Sequence, residues 1–285
     1  MLAGAMGKQM RAKLMGAIMA AGLCLATAGE TAQPTAKGED YPPSASRPAR
    51  GGAGYLGESV PDERVFLPAP PADNSIAGRA DMSVFRATRV QKGSPRWAMA
   101  EDDALISGQS LLGDFSCAVG ATLTPAQAPL LSRLSNKVMA DAIKVVGSAK
   151  DRYMRPRPFL RARGAVCVPA EELAHSGSYP SGHSTAGWLY ALILTEIVPD
   201  RSSQILARGR AFGESRVVCG VHYVSDVEAG RTLASGLFAA LQASPAYQTD
   251  LAAARAELTG LISAGAKPDS KSCAFQDAAS RTTPW

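Results

Sequence analysis

Residues 178–199 read SYPSGHSTAGWLYALILTEIVP. Pro180, Ser181 and Gly182 form a turn signal. The apolar run behind them predicts a helix from about Ser184 to near Pro199, where a residue without an N–H ends the ladder. Ala186, Gly187 and Ala191 are small and suit close packing against another helix, while Trp188 and Tyr190 are assigned to the core. A turn that opens into a helix presents unpaired N–H groups and the positive end of a dipole, which suits an anion. His183, one of only three histidines, stands at that junction.

Outward from this stretch the chain continues to read as helices separated by Pro and Gly breaks, with no convincing alternating strand. Toward the N-terminus, Thr124-Pro125-Ala126-Gln127 predicts a helix start, with Thr124 as cap, Pro125 at the first helical position and Gln127 completing a capping box. That helix carries Leu130, Leu131, Leu134, Val138, Ile143, Val145 and Val146 toward Lys150. Pro156 and Pro158 then push Arg155 and Arg157 into extended geometry. Toward the C-terminus, helices are expected over about 200–214, 222–241 and 246–262. The fold class is all-α: a compact helical bundle with its active residues at loop–helix junctions, in a single domain over residues 65–285.

The N-terminal segment has another character. Lys8, Arg11 and Lys13 precede the apolar run Leu14–Ala26, and Ala26-Thr27-Ala28 offers a small-residue cleavage site, so residues 1–28 read as a secretory signal peptide. Residues 29–64, rich in Pro, Gly, Ala and Ser, read as a flexible leader. Removing the three basic residues of the signal takes the formal charge from +5 to +2, so the pI of about 9.0 is no argument for a nucleic-acid partner. No apolar run after the signal is long enough to span a bilayer. Cleavage also removes Cys24 and leaves Cys117, Cys167, Cys219 and Cys273, which suggests one or two disulfides in an exported chain. Four cysteines allow three connectivities. Cys117 with Cys167 is the pairing favoured here, because both flank the long helix in loop-like segments.

Three stretches carry the candidate chemistry: KDRYMRPRP from Lys150, PSGH from Pro180, and SRVVCGVHYVSD from Ser215. His222 and Asp226 stand four apart, on one face if a helix begins near His222, so the carboxylate can hold one ring nitrogen and aim the other. Lys150, Arg157 and Arg216 supply cations, and the forked guanidinium suits the oxygens of a phosphate. With the amides of Ser181 and Gly182 the inventory fits a tetrahedral oxyanion. Phosphoryl transfer needs mostly positioning and charge stabilisation, which these groups supply without a metal or other cofactor. Each piece has a plainer reading. A Lys–Arg pair near a helix end can be a solvated face, a His four before an Asp can be a surface pair, and PSGH can be a mere turn. Two of three histidines falling in such blocks argues against all three together. His175 is assigned to a polar loop or the pocket rim. Cys219 lacks the cysteine, five residues and arginine of a Cys-phosphatase loop, and Ser181 lacks a Gly-x-Ser-x-Gly elbow.

The order Lys, six residues, Arg-Pro; Pro-Ser-Gly-His; Ser-Arg, five residues, His, three residues, Asp resembles the signature of the type-2 phosphatidic acid phosphatase and vanadium haloperoxidase superfamily. GSYPSGHSTAGW, GESRVVCGVHYVSDVEAGR and the upstream VFLPAPPADNSIAGR are similar to the bacterial class A nonspecific acid phosphatases, and the resemblance covers roughly residues 65 to 260. It implies a secreted or periplasmic hydrolase of small phosphomonoesters such as nucleotides, sugar phosphates and aryl phosphates, with phosphotransferase activity as a side reaction. His222 would be the nucleophile, Asp226 its orienting partner and His183 the general acid. Lys150, Arg157, Ser181, Gly182 and Arg216 would hold the phosphoryl oxygens. Pro156 beside Arg157 and the tail 264–285 depart from the pattern, and self-association is left open. The competing readings are a vanadate-dependent haloperoxidase, a lipid-phosphate or diphosphate phosphatase, and a phosphate-binding envelope protein without activity.

Overall fold

The computed structural model describes residues 53–285. The expected signal peptide and most of the expected leader lie outside the described residues. Eleven α-helices occur among them, and no strand. They are α1 (Glu63–Phe66), α2 (Ile76–Thr88), α3 (Pro95–Asp102), α4 (Gly108–Asp114), α5 (Ser116–Val119), α6 (Pro129–Tyr153), α7 (Gly182–Ile197), α8 (Ser202–Val218), α9 (Val224–Leu241), α10 (Pro245–Ser263) and α11 (Ser270–Ser280). The all-α bundle expected from sequence is what forms.

The centre is the apolar helix of the opening stretch. α7 packs mainly on α8 and α9, and α6 pairs with α10. Leu189, Ile193 and Leu194 of α7 join Leu131, Leu134 and Val138 of α6, Phe212 of α8, Leu233 and Leu237 of α9, and Leu251 of α10 in one buried cluster. Burying such side chains contributes roughly 1.5–3 kcal/mol each, so this layer is what fixes the helices against one another. Gly187 and Gly209 let α7 and α8 approach. A Cβ on Gly187 would come within 2.5 Å of the Phe212 ring, and one on Gly209 within 2.5 Å of the Ala191 Cβ.

Several boundaries differ from expectation. The long helix begins at Pro129, not Pro125. Thr124–Gln127 forms a turn in which Thr124 Oγ1 accepts from the Gln127 N–H at 3.2 Å. A helix through this turn would set Pro129, which has no N–H and crowds the residue before it, in its interior. Glu257 of α10 caps the true start, accepting from the N–H groups of Leu130 and Leu131 at 3.0 Å each. α8 runs on to Val218 and so carries Arg216, and α9 begins at Val224, after His222.

The end of the expected leader is tied down. Asp141 of α6 accepts from the Tyr55 N–H at 2.8 Å, and Tyr55 Oη donates to Asp250 at 2.7 Å. The disulfides are Cys117–Cys273 and Cys167–Cys219, which corrects the Cys117–Cys167 pairing. Cys273 sits on α11, in the tail that showed no recognisable pattern, and fastens that helix beside α5 and α8.

Candidate active site

Three chain segments converge at one end of α7. The first is the last turn of α6 with the stretch after it. Met154 takes a left-handed conformation (φ 39°) that ends the helix, and Pro156 and Pro158 prevent the chain beyond it from resuming one. Lys150 thereby stays on the helix while Arg155 and Arg157 run inward, 7% and 3% exposed. The second segment is the Pro-Ser-Gly turn, where Ser181 caps α7 by accepting from the Ser184 N–H at 3.3 Å. The third joins α8 to α9 and brings Arg216, His222 and Asp226 together.

His222 and Asp226 meet as expected, although not as neighbours on a helix face. Asp226 is the third residue of α9, where its Oδ2 accepts the Tyr223 N–H at 2.9 Å as a cap and lies 3.2 Å from His222 Nδ1. On the other side of the ring, Arg157 Nη1 lies 3.2 Å from His222 Nε2. A guanidinium can only donate, so Nε2 carries the lone pair and Nδ1 the proton, given to Asp226. Burial holds the His222 pKa well below its ordinary value, with Arg157, Lys150 and Arg216 adding to the effect and the Ser178 backbone opposing it.

The cations are held from behind. Arg157 donates to the carbonyls of Leu173 at 3.1 Å, Ser176 at 3.0 Å and Val221 at 2.9 Å, and Lys150 Nζ donates to Gly177 O. The loop that supplies Leu173, Ser176 and Gly177 is stapled to the end of α8 by Cys167–Cys219. Arg216 is 3% exposed, yet its Nε and Nη1 find no protein partner among the described residues. Burial, with Arg157 next, pulls its pKa down to about 9, and burial pulls Arg157 down to about 10. Two buried, unpaired guanidinium donors beside two more cations and a helix N-terminus form a cradle for a multiply charged oxyanion.

Lys150, Gly182 and His183 keep some exposure while Arg157, Ser181, Arg216, His222 and Asp226 are buried, so the site opens on the His183 side. His183 Nε2 lies 3.1 Å from the Ala104 carbonyl, which only accepts, so in the neutral ring Nδ1 is the unprotonated atom. Burial, followed by Arg216, depresses the His183 pKa well below the ordinary imidazole value. All eight candidate residues therefore belong to one locus. His175 is exposed.

Sequence reading missed the support behind them. Arg155 Nη1 donates to Asp226 Oδ1 at 2.6 Å, and its Nη2 donates to Asp81 of α2 at 2.9 Å. Ser215 Oγ donates to Asp103, which also pairs with Arg208, and this joins α8 to the residue before Ala104. Arg155 was visible only as an extra basic residue just before Pro156, and Asp81 carried no local signal at all. Among the described residues no group of His, Cys, Asp or Glu side chains is arranged to hold a metal ion, and no helix is long and apolar enough to cross a membrane.

A cation cradle facing a histidine whose proton is fixed by a carboxylate suits phosphoryl chemistry on an all-helical bundle, and residues 131–250, which include most of it, match the PAP2 superfamily. The chain belongs to that superfamily and, within it, to the family of the bacterial non-specific acid phosphatases. It is 40% identical over 220 residues to an acid phosphatase of Zymomonas mobilis, covering 76% of this chain and 83% of that protein. It is 42% identical over 204 residues to a non-specific acid phosphatase of Salmonella typhimurium, covering 70% of this chain and 81% of that protein. A non-specific acid phosphatase of Providencia stuartii is 38% identical over 203 residues, 70% of this chain and 82% of that one. A solved bacterial vanadium-dependent iodoperoxidase aligns with a TM-score of 0.47 at 16% identity, over 61% of this chain and 51% of that chain.

Proposed function

We propose that this enzyme, a phosphoric monoester hydrolase, is an exported acid phosphatase of broad specificity that works through a phosphohistidine at His222. The observation that carries the reading is the fixed tautomer of His222: Asp226 accepts a hydrogen bond from the Nδ1–H, and the Nε2 lone pair lies against Arg157, a cation suited to a phosphoryl oxygen. Incoming phosphate draws that guanidinium onto its oxygens and leaves Nε2 facing phosphorus. The N–P bond forms as the ester P–O bond breaks, and protonated His183 gives its proton to the leaving alkoxide. Water then attacks phosphorus, His183 takes its proton, and the N–P bond breaks to release phosphate. Lys150, Arg157, Arg216 and the Ser181 and Gly182 amides hold the three oxygens on which charge gathers. Burial and then nearby cations keep His183 neutral in the empty site, and a bound dianion offsets the cations, so substrate itself raises the His183 pKa toward the value an acid needs.

Rapid quench with a phosphorus-labelled nitrophenyl ester tests this. His183→Ala is expected to accumulate phosphohistidine, because its second step lacks a base, and His222→Ala to accumulate none. Label on Ser181, or label that persists without His222, overturns the mechanism. The export half of the proposal predicts a mature N-terminus after Ala28, read by sequencing the secreted protein. Its mature chain would carry residues 29–52 ahead of the described domain.

A further inference from the structure

Behind the nucleophile, on the side away from the phosphate cradle, lies a buried array of which the proposed phosphoryl transfer uses only the last member, Asp226. Asp81, Arg155 and Asp226 are 4%, 7% and 0% exposed and come from α2, the stretch after α6, and α9. Both amino groups of Arg155 are taken. Nη1 donates to Asp226 Oδ1 at 2.6 Å and Ser225 Oγ at 2.8 Å, and Nη2 donates to Asp81 Oδ2 at 2.9 Å. Its guanidinium lies 4.1 Å from the centre of the Tyr223 ring, and Asp81 Oδ1 accepts the Ser225 N–H at 3.0 Å. Every group here is held by a hydrogen bond or ion pair, and the array ends on the carboxylate that contacts His222.

The chemistry of the second half-reaction gives this arrangement a use. Once Nε2 bears a phosphoryl group the imidazole is cationic, and its Nδ1 proton becomes acidic. If Asp226 took that proton, the ring would be a neutral phosphoimidazole and a poor leaving group. An ion-paired carboxylate is a weak base, because an adjacent cation stabilises its ionised form. From this geometry we infer that Arg155, anchored by Asp81, is a positioning residue that keeps Asp226 ionised and in the plane of the His222 ring, so the Nδ1 proton stays on the imidazole through both steps. The inference rests on His222 being the nucleophile.

The expected signature separates this role from a structural one. Arg155 does not face the cradle, so Arg155→Met is expected to lower kcat about 10- to 100-fold, the scale of a small misplacement at a reacting group, and to leave the vanadate inhibition constant within about threefold. Loss of a cation also makes protonation of the His222–Asp226 pair easier, so the acid limb of the kcat–pH profile moves to higher pH. The other groups facing the pair stay in place: Lys150 from α6, Arg157, His183 from α7, Arg216 from α8, and the phenols of Tyr179 and Tyr223. A limb shift is therefore assignable to Arg155. Arg155→Lys is expected to recover at least a tenth of the lost kcat, and Asp81→Asn, which loosens the Arg155 anchor, to lower kcat by less than Arg155→Met. Those two variants carry the test if Arg155→Met does not fold. Quench labelling of the unmodified enzyme comes first, since label elsewhere than His222 removes the reading of the site and the inference with it. With label on His222, unchanged kcat in the Arg155 and Asp81 variants, an unmoved limb in Arg155→Met, or a vanadate constant that weakens in step with kcat, overturns the inference alone.

Discussion

Arg216 offers the sharpest separation of function from stability. It is 3% exposed on α8, and its Nε and Nη1 have no protein partner among the described residues. In the substrate complex those two N–H groups are assigned to phosphoryl oxygens. A hydrogen bond to a charged group contributes about 1.5–3 kcal/mol, so removing two, as in Arg216→Met, costs about 3–6 kcal/mol of transition-state binding. At about 1.4 kcal/mol per tenfold, kcat/KM falls roughly 10²- to 10⁴-fold. In the empty enzyme the same side chain works against folding, because a buried cation without a full set of partners is desolvated and uncompensated. The direction of its pKa says the same, since burial takes it down from the usual guanidinium value to about 9.

The sign of the stability effect is set by that direction. A cation whose folded pKa is depressed binds its proton more weakly when folded, so it destabilises the fold at every pH below the folded value of about 9. The penalty is relieved only as pH rises above that value. Arg216→Met removes the penalty at neutral pH and keeps a side chain of similar reach, so its melting temperature in phosphate-free buffer is expected to equal or exceed that of the unmodified protein. Phosphate should raise the melting temperature of the unmodified protein by mass action and that of the variant far less. Steady-state assays and thermal melts with and without phosphate read all three quantities. A variant with kcat/KM within tenfold of the unmodified enzyme, or one that loses more than about 1 kcal/mol of stability without phosphate, would refute the assignment of Arg216 to the anion.

Three further outcomes can be checked. Because burial and then neighbouring cations hold His222 and His183 well below the ordinary imidazole pKa, both rings stay neutral in the free enzyme to lower pH, and the acid limb of kcat/KM is expected below about 6.5; a limb above that contradicts it. Activity should survive EDTA, since Lys150, Arg157 and Arg216 carry the charge work, and loss restored by zinc or magnesium sinks that account. Vanadate should compete with substrate and bind more tightly than phosphate, because its five-coordinate form matches the transition state, whereas bromide oxidation by peroxide in its presence should be negligible.

How much of this was legible in the sequence depends on how far each feature reaches along the chain. α7 was legible from its own residues, since a Pro-Ser-Gly turn, a continuous apolar run and Pro199 fix its start, burial and stop within one stretch. The start of α6 was misread because Thr124 and Pro125 imitate a helix cap, while the group that caps Pro129–Leu131 is Glu257, more than a hundred residues away on α10. The eight candidate residues that the fold brings to one locus could be picked out because the chemistry expected of them uses scarce types, histidine and clustered arginine, at short spacings. His222 and Asp226 were paired correctly from a spacing of four, but for a reason that does not hold. Asp226 reaches back from the first turn of α9 as a cap, and His222 stands before the helix. The disulfides and the Asp81–Arg155–Asp226 array were illegible for a common cause, because each joins elements whose proximity exists only after the bundle closes. Asp81 is one buried carboxylate on a short amphipathic helix until α9 sets Ser225 beside it and α6 delivers Arg155 between them. Local spacing thus discloses the groups that line the candidate site, whereas the groups that hold them in place are set by packing. Those are the residues at which a structure adds most to the chemistry.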